Sequence, residues 1–216
     1  MSKPVVGYWE IRGFVMPIRY LLEYVGQEYE FKSYNLNDQN EWRQNDKQNL
    51  GLEFPNLPYF IDGDLKITQS NAIVRYLARK HGLIAKNDED ALEQDTIDGI
   101  VWDLMVQWSW LCYFTPDFDK ELQTYRSGKL MPVLQQLDKH LQNRDYCVGN
   151  YLTYTDFGLY ERLDGNNELF PNILDDYPNV KKFHERIGNL KGIKEFRNSK
   201  RFNRVLNADF AKWNDK

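Results

Sequence analysis

Asn56-Leu57-Pro58-Tyr59-Phe60-Ile61-Asp62-Gly63, continued by Leu65-Lys66-Ile67-Thr68-Gln69-Ser70-Asn71-Ala72, reads as strand, tight turn, strand and the start of a helix. Tyr59, Phe60 and Ile61 are a short β-prone run, and Asp62-Gly63 is a hairpin signal because Gly tolerates the positive φ of two-residue turns. Leu65–Thr68 makes the return strand. Ser70 stands where a helix N-cap belongs, before Ile73, Val74 and Leu77 at helical spacing. Pro58 falls at a strand's first residue, where a missing N–H is tolerated, and an X-Pro bond there admits a cis form.

Two readings of this stretch stand side by side. One is a capped helix after a hairpin. The other is a binding edge. A helix N-terminus carries unpaired N–H groups and partial positive charge, so it can hold a carboxylate. Ser70 adds a hydroxyl and Gln69 an amide, while Leu57 before Pro58 offers a backbone N–H and C=O to an extended peptide. Together these suit a small peptide with a free carboxylate.

Upstream, Val5, Val6 and Tyr8 open a buried strand, Gly13 ends a loop and Pro17 suits the first turn of a helix. Ile18, Leu21, Leu22 and Val25 repeat at helical spacing until Gly26. Tyr29, Phe31 and Tyr34 alternate with polar residues as in a half-buried strand. The polar segment from Asn35 to Asn49 reads as loop plus a weak helix holding Trp42 and Lys47. The order β-α-β-α-β-β-α packs as a four-stranded mixed sheet with helices on its faces, a thioredoxin-like domain over residues 1–82.

Residues 83–90 read as a linker, and 91–216 as an all-helical domain, an α/β plus all-α architecture. Ile97, Ile100, Val101, Leu104, Trp108 and Leu111 trace one helical face, and Trp102, Val106, Trp110 and Tyr113 a second. A helix apolar on two faces needs its own core and a further pocket or partner chain. Pro116 ends it, and another helix runs from about Lys120 to His140. Thr153-Tyr154-Thr155-Asp156 is a capping box, which makes Asp156 a folding residue rather than a catalytic acid. Tyr177-Pro178 starts a helix with Phe183 and Ile187 inside, and the tail carries Phe202, Phe210 and Trp213.

Composition narrows the function. Hydrophobic residues at 42% and charged residues at 28% fit a soluble globular chain, and the formal charge of −4 gives no basic footprint for nucleic acid. Cys112 and Cys147 have neither the number for a disulfide framework nor the spacing of a zinc site. With no signal peptide and no stretch apolar enough for a membrane, a reducing cytoplasm is the expectation.

Phe54-Pro55-Asn56-Leu57-Pro58-Tyr59 with Gln69-Ser70-Asn71-Ala72-Ile73 resembles the glutathione-binding signature of cytosolic glutathione transferases. Gly7-Tyr8-Trp9-Glu10-Ile11-Arg12-Gly13 and Ala78-Arg79-Lys80-His81 resemble the mu class in particular, over nearly the whole chain. The resemblance implies a homodimer that adds the thiolate of glutathione, a cosubstrate, to apolar electrophiles, with no cofactor and no metal. It implies Tyr8 as the catalytic hydroxyl; without it, Tyr8 also reads as a strand tyrosine with a buried OH. It implies glutathione contacts from Trp9, Trp42, Lys47, Asn56, Leu57, Gln69 and Ser70, and from Asp103 across a dimer. Ile11, Phe14, Met105, Ser109, Tyr113 and Phe210 would line the pocket of the second substrate, and Phe54 would plug a pocket in the partner subunit.

The chain departs from the mu pattern between Tyr34 and Trp42, where it is shorter, as an invertebrate mu-like enzyme would fit, and Arg43 follows the tryptophan instead of preceding it. Two rival functions remain at this level: a carrier of apolar ligands with little turnover, and a glutathione-dependent isomerase. A thiol–disulfide oxidoreductase is disfavoured, since no Cys lies near the first strand–helix junction.

Overall fold

Val5–Trp9 forms the central strand β1 of a four-stranded sheet ordered β2-β1-β3-β4, with β2 at Glu30–Tyr34, β3 at Tyr59–Asp62 and β4 at Leu65–Thr68. The computed structural model describes residues 3–213. β1 pairs parallel to β2, with Tyr8 opposite Ser33, and antiparallel to β3, with Gly7 opposite Tyr59. A parallel neighbour needs a crossover, and helix α1, Met16–Val25, supplies it. Gly26 ends α1 in the left-handed conformation at φ 69°, as its place in the sequence implied. The hairpin turns at Gly63, φ 60°, and places Phe60 opposite Ile67.

Helix α3, Ser70–His81, follows and ends at Gly82, φ 69°. Its start differs from the expectation by one residue. Gln69, not Ser70, is the N-cap, and it holds φ 70° with no side-chain cap. Ser70 is thus inside the first turn. The Leu57–Pro58 bond is cis. Between β2 and β3 the chain makes a π-helical turn, Glu41–Asp46, that runs into the short helix α2, Lys47–Asn49.

The chain divides into two compact units. The first holds the residues up to Gly82 together with Lys191–Asp209; the second holds Leu83–Leu190 and the residues from Phe210. The expectation put all of 91–216 in one helical domain, so the return of Lys191–Asp209 to the first unit differs from it. The reason is packing. Helix α9, Lys191–Arg197, lies so close to α1 that a Cβ at Gly192 would sit 2.2 Å from the Glu23 carbonyl oxygen. Tyr20 and Phe196 meet edge-on at 6.2 Å, and Arg19 donates to the Arg201 carbonyl at 2.7 Å. Helical periodicity marks the apolar face of such a segment but not the partner it chooses.

In the second unit α4 spans Asp88–Ser109 and continues as a π-helical turn, Trp110–Phe114. Ile97, Leu104, Trp108 and Leu111 are buried, whereas Trp102, Val106 and Trp110 are about half exposed at 46%, 49% and 52%. The single long helix expected from Lys120 to His140 is α5, Phe118–Tyr125, a π-helical turn at Arg126–Leu130, and α6, Met131–His140. The break falls where Gly128 and Pro132 weaken an α-helix.

Helix α7, Tyr154–Leu169, is buried nearly all round and opens on the expected capping box. Asp156 accepts from the Thr153 N–H at 2.7 Å and from the Cys147 N–H at 2.8 Å. Burial pushes its carboxyl up to about 6 despite these donors. The 3₁₀ turn Ile173–Asp176 leads into α8, Pro178–Gly188, with Phe183 and Ile187 fully buried.

Candidate functional site

β1 carries Tyr8 near its C-terminal end, 4% exposed, with its ring against the loop that follows. The Phe14 N–H donates to the Tyr8 oxygen at 3.1 Å. Gly13 makes that approach possible: it holds φ 43°, and a Cβ there would sit 2.6 Å from the Tyr8 oxygen. A phenol that accepts a hydrogen bond is polarised into a better donor. The hydroxyl is therefore held in a fixed position. Phe14, expected only as an apolar lining residue, contributes this through its backbone.

Trp9, the next residue, opens onto a cleft of about 730 Å³ within the first unit. Trp42, Lys47 and Asn56, which the family resemblance implied as glutathione contacts, line it. Arg43, Gln48, Leu52 and Pro55 line it too. The lining thus has two cations and no carboxylate. Like charges close together on a helical surface repel, by a few tenths of a kcal/mol, so this wall is arranged for an anion.

The π-helical turn explains how the lining comes together. Its hydrogen bonds run five residues back, and the Lys47 N–H reaches the Trp42 carbonyl. Residues 42 and 47 therefore stack one turn apart on one face. An α-helical reading would have set them on different sides. Trp42 is 4% exposed and packs on Tyr59 with ring centroids 6.0 Å apart and planes 22° apart.

The expected peptide edge is present but engaged. Leu57 is buried, and its N–H donates to the Asn56 side chain at 2.9 Å. A peptide ligand at this edge must displace that side chain. Gln69 is exposed, at positive φ; Ser70 is half-buried in the first turn of α3, whose N-terminus has no side-chain cap. A non-glycine residue held at positive φ is strained by about 1–3 kcal/mol, a feature that clusters at functional sites.

The remaining predicted residues fall as follows. Ile11 is half-buried and belongs to the first unit, as does Phe54, which is 69% exposed. Asp103 is exposed on α4. Met105 turns inward, 8% exposed, with the Arg162 guanidinium against its sulfur. Ser109 and Tyr113 lie four residues apart, and Tyr113 meets Phe210 edge-on at 5.8 Å.

The histidines are held by structural bonds: His81 to Gln27, His140 to the Cys147 carbonyl and His184 to Asp164. Both cysteines are buried, and burial pushes the Cys147 thiol well up. Among the described residues no cluster of His, Cys, Asp and Glu is arranged to hold a metal, and no helix is long and apolar enough to cross a membrane.

The first unit thus carries a phenol fixed at a strand end, an uncapped helix start and a cationic cleft on a thioredoxin-like sheet. Residues 4–79 match the family described as glutathione S-transferase, N-terminal domain, and residues 102–200 match glutathione S-transferase, C-terminal domain. The chain belongs to the glutathione S-transferase family. It is 41% identical to glutathione S-transferase Mu 2 of Mus musculus, covering 98% of both chains. It is 42% identical to the class-mu 26 kDa isozyme 7 of Fasciola hepatica, over 91% of this chain and 89% of that one. Within the family it groups with the mu class. The solved structure of the glutathione S-transferase Blo t 8 superposes with a TM-score of 0.88 at 32% identity, covering 97% of this chain and 99% of that one.

Proposed function

We propose that this chain conjugates glutathione to electrophilic carbons of apolar compounds, with Tyr8 as the catalytic residue. The observation that carries this is the Tyr8 hydroxyl, fixed by the Phe14 N–H and by the space at Gly13. A free thiol has a pKa near ~8.5, so little of it is thiolate at neutral pH. A hydrogen bond to the sulfur anion is worth about 1.5–3 kcal/mol, and each pKa unit is about 1.4 kcal/mol. One donated O–H therefore lowers the thiol pKa by roughly one to two units. The thiol proton passes to solvent. The thiolate then attacks the electrophilic carbon, a C–S bond forms, and the leaving group departs with its electron pair.

Glutathione has a carboxylate at each end. The γ-glutamyl end goes to Gln69, Ser70 and the open N-terminus of α3; the cysteinyl backbone goes to Asn56 and Leu57. The glycine end goes to Trp9, Trp42 and Lys47, with Arg43 as a second cation. Ser109, Tyr113 and Phe210 are the second-unit groups assigned to the electrophile.

The active form is a cytoplasmic homodimer. The 69% exposure of Phe54 and the half-exposed Trp102, Val106 and Trp110 support association, because apolar surface of this size is costly to leave in water. Asp103 reaches the partner's ligand in that assembly.

The test is the absorbance of bound thiolate against pH, for the native chain and Tyr8→Phe. Ionisation well below free glutathione in the native complex, lost in the variant, supports the mechanism. Normal titration in both makes Tyr8 a core residue and removes the catalytic reading.

A further inference from the structure

We propose that Tyr34 is a positioning residue for the glycine end of glutathione: its hydroxyl anchors the π-helical turn that brings Trp42, Arg43 and Lys47 to the cleft. The inference rests on the assignment of that cleft to glutathione.

Tyr34 closes strand β2 and is 1% exposed. Its hydroxyl lies 2.5 Å from Asp46 Oδ2 and 2.9 Å from the Tyr59 hydroxyl oxygen. A phenol has one hydrogen to give. The carboxylate is the stronger acceptor, and 2.5 Å is the length of a charge-assisted O–H···O bond. Tyr34 therefore donates to Asp46, and Tyr59 donates to Tyr34. The result is a directed chain from Tyr59 through Tyr34 to Asp46, in which each bond polarises the next. Burial and the Asp46 carboxylate push the Tyr34 phenol upward, so it remains a donor at any working pH.

The two ends of this chain differ in mobility. Tyr59 begins β3, and its ring lies across Gly7 of β1, where a Cβ would come within 2.2 Å of it. It is fixed to the sheet. Asp46 ends a turn whose other residues, Glu41, Arg43, Gln44 and Asn45, are exposed and polar. Little apolar burial holds that turn apart from Trp42. Trp42 itself meets Tyr34 edge-on at 5.5 Å, and Trp9 meets Tyr34 edge-on at 6.3 Å. Tyr34 thus touches both cleft tryptophans and, through Asp46, holds the residue immediately before Lys47. Lys32 adds an outer tether to Glu41. None of the three hydroxyl and carboxyl groups lines the cleft, so their effect on a ligand passes through the residues that do.

The experiment compares binding of glutathione and of γ-glutamylcysteine, which lacks the glycine, to the native chain and to Tyr34→Phe. We expect the native chain to prefer glutathione by roughly tenfold or more, the scale of one or two charge-assisted hydrogen bonds. Tyr34→Phe loses most of that preference, binds γ-glutamylcysteine within about twofold of native, and raises KM for glutathione. Its kcat at saturating glutathione and the pKa of bound thiol stay close to native. If Tyr34→Phe keeps the native preference, or weakens both peptides alike, the positioning role is overturned. If the native chain itself binds the two peptides equally, the assignment of the cleft falls, and the proposal with it; that outcome is read on the native chain alone. Should Tyr34→Phe fail to fold, Asp46→Asn weakens the same chain at its solvent end and carries the same comparison, with the same direction expected.

Discussion

Three helices of the second unit begin differently from α1 and α3 of the first. Asn87 caps α4 by accepting from the Asp90 N–H at 2.8 Å, Asp117 caps α5 from Lys120 at 3.1 Å, and the Thr153–Asp156 box caps α7. In the first unit α1 starts from Val15 and α3 from Gln69, neither with a side-chain cap. A cap is worth about 1 kcal/mol. At α4, α5 and α7 the second unit uses its helix starts for stability, whereas α6 and α8 open uncapped on a proline in the first turn, as α1 does. The first leaves the start of α3 open, with Gln69 at positive φ, and so keeps its N–H groups available to a carboxylate. The same kind of orphan N–H group is satisfied by a side chain at α4, α5 and α7 and left without one at α3.

The contrast breaks most readily at α7. Asp156→Ala leaves the Thr153 and Cys147 N–H groups buried without partners, at about 1–3 kcal/mol each. We expect a loss of roughly 3–5 kcal/mol in urea unfolding, and little change in glutathione affinity for the fraction that remains folded.

The same residue gives the pH dependence. Its folded pKa of about 6 lies above the unfolded value of about 3.9. Between those values the folded state binds more protons, so its contribution to stability is full below about 3.9 and is lost as pH rises through about 6. The stability gap between the native chain and Asp156→Asn should therefore widen as pH is lowered from 7 to ~4.5. A gap independent of pH would show that Asp156 titrates alike in both states.

Next in size is Tyr8→Phe. Loss of about 1.4–3 kcal/mol of thiolate stabilisation predicts a fall of roughly 10- to 100-fold in kcat/KM at neutral pH. The ring remains but the Phe14 N–H loses its acceptor, so stability should fall by about 1 kcal/mol. At the open helix start, Ser70→Ala should raise KM for glutathione by roughly tenfold or less with kcat nearly kept. A large loss of stability instead would make α3 resemble α7 and collapse the comparison. The smallest effect is expected from Arg43→Ala, because the side chain is exposed: a rise in KM of about two- to fivefold, shrinking as salt is added.

Much of this arrangement is legible locally. The Thr153–Asp156 box and the left-handed glycines at 26 and 82 each depend on residues within a few positions and appear where the sequence puts them, while the hairpin turns one residue later than Asp62-Gly63, over Gly63-Asp64, because Asp62 pairs with Leu65. The misreadings share a different property. Ser70 was read as the cap because its hydroxyl suits that role, yet the backbone at Gln69 takes the position with no side-chain bond. Leu57 was read as open, and Asn56 has taken its N–H. Arg43 was noted only as following the tryptophan instead of preceding it, and it lines the cleft with Trp42 and Lys47.

Local sequence is enough for the order and type of the elements, the thioredoxin-like sheet followed by helices, and the family signature around Tyr8, Pro58 and Ser70. These rest on periodicity, turn chemistry and caps, all of which act over a few residues. The tertiary structure alone decided that Tyr34, Asp46 and Tyr59 form one hydrogen-bonded chain, although they lie 12 and 25 residues apart. It also decided that Lys191–Asp209 packs on α1. Such contacts depend on which surfaces meet when the sheet closes, and an apolar face or a lone hydroxyl carries no record of its partner.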